Sequence, residues 1–193
     1  MPRLTNFLAL GVVTSISCMS DNVVQPVRHV TVDHVDAIAD AAVHVQRVQV
    51  KSLADGSGIN GSNAVLMRGV AGLTVRVETR ALAPNESVDV FWAIFNNPAA
   101  CTHPNALTGA PCSPLDLFVA ETQASLHYAA TLAADARGKL SYFASLDVGT
   151  AAGCVGAPFP CYTLMHPLGA EVHSALFVPN GGPGRQAAQF FLP

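Results

Sequence analysis

Seven histidines and five cysteines are the residues of this 193-residue chain best suited to chemistry. His127 and His173 both fall in stretches where apolar residues alternate. Glu171 stands two places before His173, and so shares its face on an extended strand. Two imidazoles and a carboxylate are a donor set for a mononuclear copper or zinc centre, with His166 or His103 arriving from a loop. No HxH or HExxH spacing supplies two ligands locally, so separate strands would have to bring them together. The competing expectation is that each histidine is exposed or hydrogen-bonded by its neighbours. A cupredoxin-type copper site also needs a cysteine ligand, and only Met165-His166 near Cys161 approaches that arrangement.

Four of the cysteines form two local sets. Cys101 and Cys112 bracket THPNALTGAP, and Cys154 and Cys161 bracket VGAPFP. Four cysteines permit three pairings. Proximity favours disulfides Cys101–Cys112 and Cys154–Cys161, each closing a Pro- and Gly-containing loop too small to hold its own shape. Each closure is worth about 2–3 kcal/mol. A zinc thiolate site is the alternative, but neither set has CxxC spacing.

Cys18 stands apart. Residues 1–17 carry Arg3 and then an apolar run from Phe7 to Ile16. The run is shorter than the ~20 residues that cross a bilayer and matches a signal-peptide core. Ser17 precedes Cys18, as in a bacterial lipoprotein signal whose cysteine is lipidated and anchors the mature chain to a membrane. Ser15 occupies the place where that signal usually has Leu. The alternative is ordinary cleavage a few residues on, leaving a secreted protein. Either route exports the chain to an oxidising compartment, where disulfides persist.

The elements that must position these residues are strands. Leu73, Val75 and Val77 alternate with Arg76, Glu78 and Arg80, the pattern of a half-buried strand. Ser87 to Asn96 alternates at first, then carries Phe91, Ala93 and Phe95 on its second face, as a central strand does. Residues 124–132 place Leu126, Tyr128, Ala130 and Leu132 inward and Ser125, His127 and Thr131 outward. After the turn Asp135-Ala136-Arg137-Gly138, residues 139–148 return, predicting a β-hairpin. Val43 to Val50 changes phase at Gln46-Arg47, which predicts a bulge. Residues 171–178 and 187–192 complete the set. A leader over 1–17, a partly helical segment over 18–40 and an all-β domain over 41–193 follow. Its roughly eight short strands predict an antiparallel β-sandwich of Ig-like or cupredoxin-like outline.

Val90-Phe91-Trp92-Ala93-Ile94-Phe95-Asn96-Asn97-Pro98, the hairpin residues 127–146 and Pro167-Leu168-Gly169-Ala170-Glu171-Val172-His173 together carry a resemblance. In that order, over residues 70–178, they resemble a group of bacterial secreted or lipoprotein β-sandwich proteins with no assigned chemistry. The Glu-Val-His strand is similar, in architecture only, to the closing strand of the CHRD domain. The resemblance implies an envelope or extracellular location and no transferable activity.

Composition narrows the function further. Charged residues are 12% of the chain, and Lys and Arg total 10 without clustering, which excludes a nucleic-acid partner. No GxSxG elbow or phosphate loop is present, and Asp89, Asp116, Glu121 and Asp147 are too scattered to mark a glycosidase pair. Trp92, Phe91 and Phe95 are better suited to a core than to a ligand platform. Asn60-Gly61-Ser62 and Asn85-Glu86-Ser87 are glycosylation patterns that matter only in a eukaryotic source, against which the leader argues. The expectation is an extracytoplasmic binding or structural surface protein without catalysis, its ligand unspecified. The alternatives are a small copper or zinc protein, and a self-associating subunit of an extracellular assembly.

Overall fold

The computed structural model of the chain describes residues 43–191. The expected leader, the lipidated Cys18 and the segment 18–40 lie outside the described residues. What is described is an antiparallel β-sandwich of two sheets, as the strand pattern predicts.

The first sheet contains β1 (His44–Val48), β3 (Asn63–Gly69), β4 (Gly72–Thr79) and β7 (Leu140–Asp147), in the order β1-β3-β4-β7. The second contains β2 (Lys51–Ser52), β5 (Ser87–Phe95), β6 (Ala124–Ala133), β8 (Glu171–Phe177) and β9 (Gly184–Phe190), in the order β2-β9-β8-β5-β6. Leu66, Val75, Val77 and Tyr142 from the first sheet meet Val88, Val90, Trp92, Ile94, Val172, Leu176 and Phe190 from the second. Trp92 is therefore a core residue. β5 lies between β6 and β8, and the second half of its outward face is also covered. There Phe95 packs with Cys112, Leu117 and Ala124 in a smaller apolar cluster outside the sandwich.

Three local expectations are corrected by the topology. The phase change in residues 43–50 is not a bulge, since β1 pairs with β3 in unbroken register from His44 to Val48. The chain instead leaves one sheet at Gln49-Val50 and enters the other as β2, which pairs with β9. The apparent phase change arises because Val43 and Val45 face outward, 61% and 48% exposed, while Gln46, Val48 and Val50 share one inward phase into the crossing.

Residues 124–148 do not form a hairpin either. β6 pairs with β5, and β7 pairs with β4, so the turn at 134–139 carries the chain across the sandwich. The Asp135 carboxylate accepts from Arg137 N at 2.7 Å and Lys139 N at 2.9 Å, which closes the turn. At Gly138 φ is +72°, and a Cβ would lie 2.1 Å from the Leu82 carbonyl oxygen, so only glycine fits. Leu132 and Ala130 then oppose Tyr142 and Ala144 across the core instead of lying beside them.

The inward residues of β6 change partway along. Val90 pairs with Ala130, whereas the next residue, Phe91, pairs with Tyr128, leaving Ala129 as an extra residue. This bulge inverts every position before it. Ser125 and His127 turn inward, with His127 4% exposed, while Tyr128 turns outward. The expected outward His127 and inward Tyr128 are thereby exchanged.

β3 carries no simple apolar alternation, because its inward positions are Ala64, Leu66 and Arg68. Arg68 is 1% exposed. Its guanidinium donates to the carbonyls of Ala170 and, at 3.2 Å, Phe190, and to Gln46 Oε1 at 3.0 Å. Burial pushes its pKa down, opposed by the attraction of Glu171. These bonds tie β3 and β1 to the ends of β8 and β9.

Candidate functional site

The outward face of the five-stranded sheet holds the clearest site. It begins with β5, whose alternate residues Asp89, Phe91, Ala93 and Phe95 point away from the core. In register beside them stand Phe177, Ala175, His173 and Glu171 of β8. His173 is in turn opposite Gln189 of β9. Phe91 makes edge contacts with Phe177 and Tyr128, at centroid separations of 5.8 and 5.6 Å.

Above this face lies the segment between β5 and β6, stapled by Cys101–Cys112 with a Cα separation of 5.2 Å. Its 3-10 turn Pro114–Phe118 is capped by Ser113, whose side chain accepts from Leu115 N. Asp116 is the hub of the segment. Its carboxylate accepts from Ser113 N at 2.9 Å, Thr102 N at 2.9 Å and His103 N at 3.2 Å, and meets His103 Nδ1 at 3.0 Å. Burial raises its pKa, but these hydrogen bonds outweigh burial and hold the carboxyl below its usual range. The second staple, Cys154–Cys161, has a Cα separation of 5.9 Å. It carries Phe159 into contact with Phe118, 5.1 Å between ring centroids. Both disulfides follow the pairing that proximity favours.

Between this roof and the sheet runs an apolar cleft of about 430 Å³. Phe91, Ala93, Leu126 and Ala175 belong to its floor, and Leu115, Leu117, Phe118 and Phe159 come from the stapled segments. Asp89, Asn105, His173 and Gln189 are its polar members. Leu115 and Phe118 are 60% and 59% exposed, a high exposure for large apolar side chains at a cleft mouth.

The two polar ends differ in construction. At one end Glu171, 1% exposed, accepts from Cys112 N at 3.1 Å and meets His173 Nε2 at 2.5 Å. Gln189 Nε2 lies 3.2 Å from His173 Nδ1. An amide NH₂ donates only, so Nδ1 accepts and the imidazole proton sits on Nε2, directed at Glu171. Glu171 thus fastens both the imidazole and the stapled loop to the sheet. Glu171 Oε2 and Gln189 Oε1 are buried and have no partner among the described residues. At the other end, Thr131 Oγ1 donates to Asp89 Oδ1 at 2.5 Å and receives the Tyr128 hydroxyl at 2.6 Å.

The expected metal ligands divide between two faces. Glu171 and His173 come together on the outward face. His127 is opposite Trp92, whereas His173 is opposite the adjacent Ala93, so the two imidazoles point to opposite sides of the sheet. His103 is engaged by Asp116, and His166 is exposed in its loop. Among the described residues no group of three His, Cys, Asp or Glu side chains converges on one point.

His127 has a different set of partners. Its Nδ1 lies 2.9 Å from the Ala152 carbonyl, and its Nε2 lies 2.7 Å from Ser125 Oγ. The carbonyl only accepts, which places the proton on Nδ1 and leaves Nε2 to accept from the serine. The contact has the form of a Ser–His dyad, yet both side chains are buried and neither lines the cleft. Its visible effect is to hold the second stapled loop, which also pairs through Tyr128 N to Gly153 O at 2.7 Å. Burial lowers the His127 pKa, against the opposing pull of the Ala152 carbonyl.

Gln189, Asn105 and the Cys112 amide were not signalled by sequence pattern, since they reach the site only through cross-strand register and loop return. Phe91, expected to pack in the core of a central strand, is half-buried and belongs instead to the cleft floor. No family model, curated protein or solved structure matches this chain, so the geometry alone carries the functional reading.

Proposed function

We propose that this protein is an extracytoplasmic β-sandwich that binds a small apolar ligand in the cleft over its five-stranded sheet, and acts without catalysis. The apolar cleft is the observation that carries the reading. Its volume lies within the range of small-molecule sites, and it combines apolar walls with few polar groups, as such sites do. Two disulfides brace its roof, so the cavity is held open in the absence of ligand, which lowers the cost of binding. The same disulfides support a location in an oxidising compartment outside the cytosol. Lipidation at Cys18 would hold the site at a membrane surface, where apolar molecules partition. Intact mass of the exported protein tests the anchor: a chain starting at Cys18 with a diacylglycerol increment supports it, and any other start rejects it.

Titration with the neutral fluorescent probe phenylnaphthylamine tests the cleft. Saturable enhancement is expected with the native chain. Ala175→Phe places an aromatic ring on the cleft floor, and should weaken binding at least about tenfold with the fold retained by circular dichroism. Undiminished binding in that variant would place the probe elsewhere and reject the cleft.

A further inference from the structure

The charge around the cleft restricts what can enter it. Among the residues that line it there is no Lys or Arg, and the acidic member is Asp89. Asp89 forms no ion pair among the described residues. A second carboxylate, Glu171, lies beneath His173 at the opposite end, with Oε2 unpartnered. Lys51 is the cation that register brings nearest, opposite Ala187. Its ammonium turns to the Thr108 carbonyl at 3.3 Å, and Lys51 is not part of the lining. Arg185 is taken by Glu86 at 2.7 Å.

An apolar cavity whose one acidic lining residue is Asp89, with no basic residue beside it, opposes an anionic head group. It favours a cationic one, since an ammonium beside Asp89 gains charge pairing there, with the aromatic rings of Phe91 and Phe177 on the same face of the sheet. The dimensions set the shape. From Asp89 to Ala93, the residue opposite His173, the strand advances four residues, or about 13 Å at ~3.3 Å per residue.

We infer that the ligand is an elongated apolar amine, with its ammonium at Asp89 and its apolar body lying along β5 and β8 toward Gln189. This rests on the reading of the cleft as the ligand site, and adds a selection by charge. Thr131 orients the receiving carboxylate, and Tyr128 supports Thr131. Matched carboxylic acids, such as fatty acids, are disfavoured by the same carboxylate that accepts the amine.

Calorimetric titration of the exported protein with decylamine, decanol and decanoate, at one pH and ionic strength, tests the inference. The amine should bind about fivefold more tightly than the alcohol, and the carboxylate more weakly than either, as expected for a part-exposed charge pair. Asp89→Asn keeps an oxygen for Thr131 and removes the charge. It should erase the preference for the amine over the alcohol. Added salt should shrink the amine advantage in the native chain, which checks the charge effect without a variant. Equal affinity for all three, or tighter binding of decanoate, overturns the amine assignment while leaving the cleft as a site. Binding of none of the three overturns both readings.

Discussion

Arg68 brings a guanidinium into the space between two apolar sheets, where an unpaired charge would be costly. Three acceptors, from β1, β9 and the residue preceding β8, make its burial tolerable. Removing the side chain leaves those acceptors unsatisfied in a dry environment. Arg68→Ala is expected to cost at least about 3 kcal/mol, read as a lower urea midpoint of unfolding. A change below about 1 kcal/mol would show that water replaces the guanidinium. His127 is the second residue whose cost depends on its state. Its pKa is lowered in the folded protein, so the unfolded chain binds the proton more readily. The stabilising contribution is therefore complete above the unfolded value of ~6.5 and is lost as pH falls below it. Between about pH 7 and about pH 5 the native chain should lose stability more steeply than His127→Gln. Parallel slopes in thermal unfolding would reject this assignment.

At the scale of elements, the bulge at Ala129 and the sheet crossings at residues 49–50 and 134–139 decide which side chains meet. A bulge consumes one residue and inverts the face of all residues before it, which separated His127 from His173. Strand identity was legible because period-two burial is written in local composition. The exceptions were strand β3, where the inward Arg68 interrupts the apolar pattern, and the supposed hairpin of β6 and β7. Two strands joined by a short turn look alike in sequence whether they lie side by side or face to face. The stapled segments have their own energetics, since Leu117, Cys112 and Phe95 form the only apolar cluster described outside the main core. Replacing Cys101 and Cys112 together by Ser should cost about 2–3 kcal/mol. The same variant should bind phenylnaphthylamine more weakly than its loss of stability explains, because the roof of the cleft loosens. Unaltered probe affinity in the folded variant would show that the disulfide does not shape the cleft.

For the whole molecule, period-two alternation and local cysteine pairs already specified an all-β sandwich held by two short disulfide loops. Alternation along a strand depends only on neighbouring residues, and a loop of a few residues has one near partner to close on. Those features survive any rearrangement of the strands, so the sequence by itself determined them. The site depended on more. Gln189 meets His173 across the β8–β9 register, the Cys112 amide returns to Glu171 from a loop, and Asp89 faces the same cleft as both. Each contact joins residues separated by at least a loop, and each reverses if one strand slips by a single residue or acquires a bulge. Only the tertiary structure fixes register, and so only it decided that the histidines part company and that an apolar cleft with Asp89 at one end takes the place of a shared metal site.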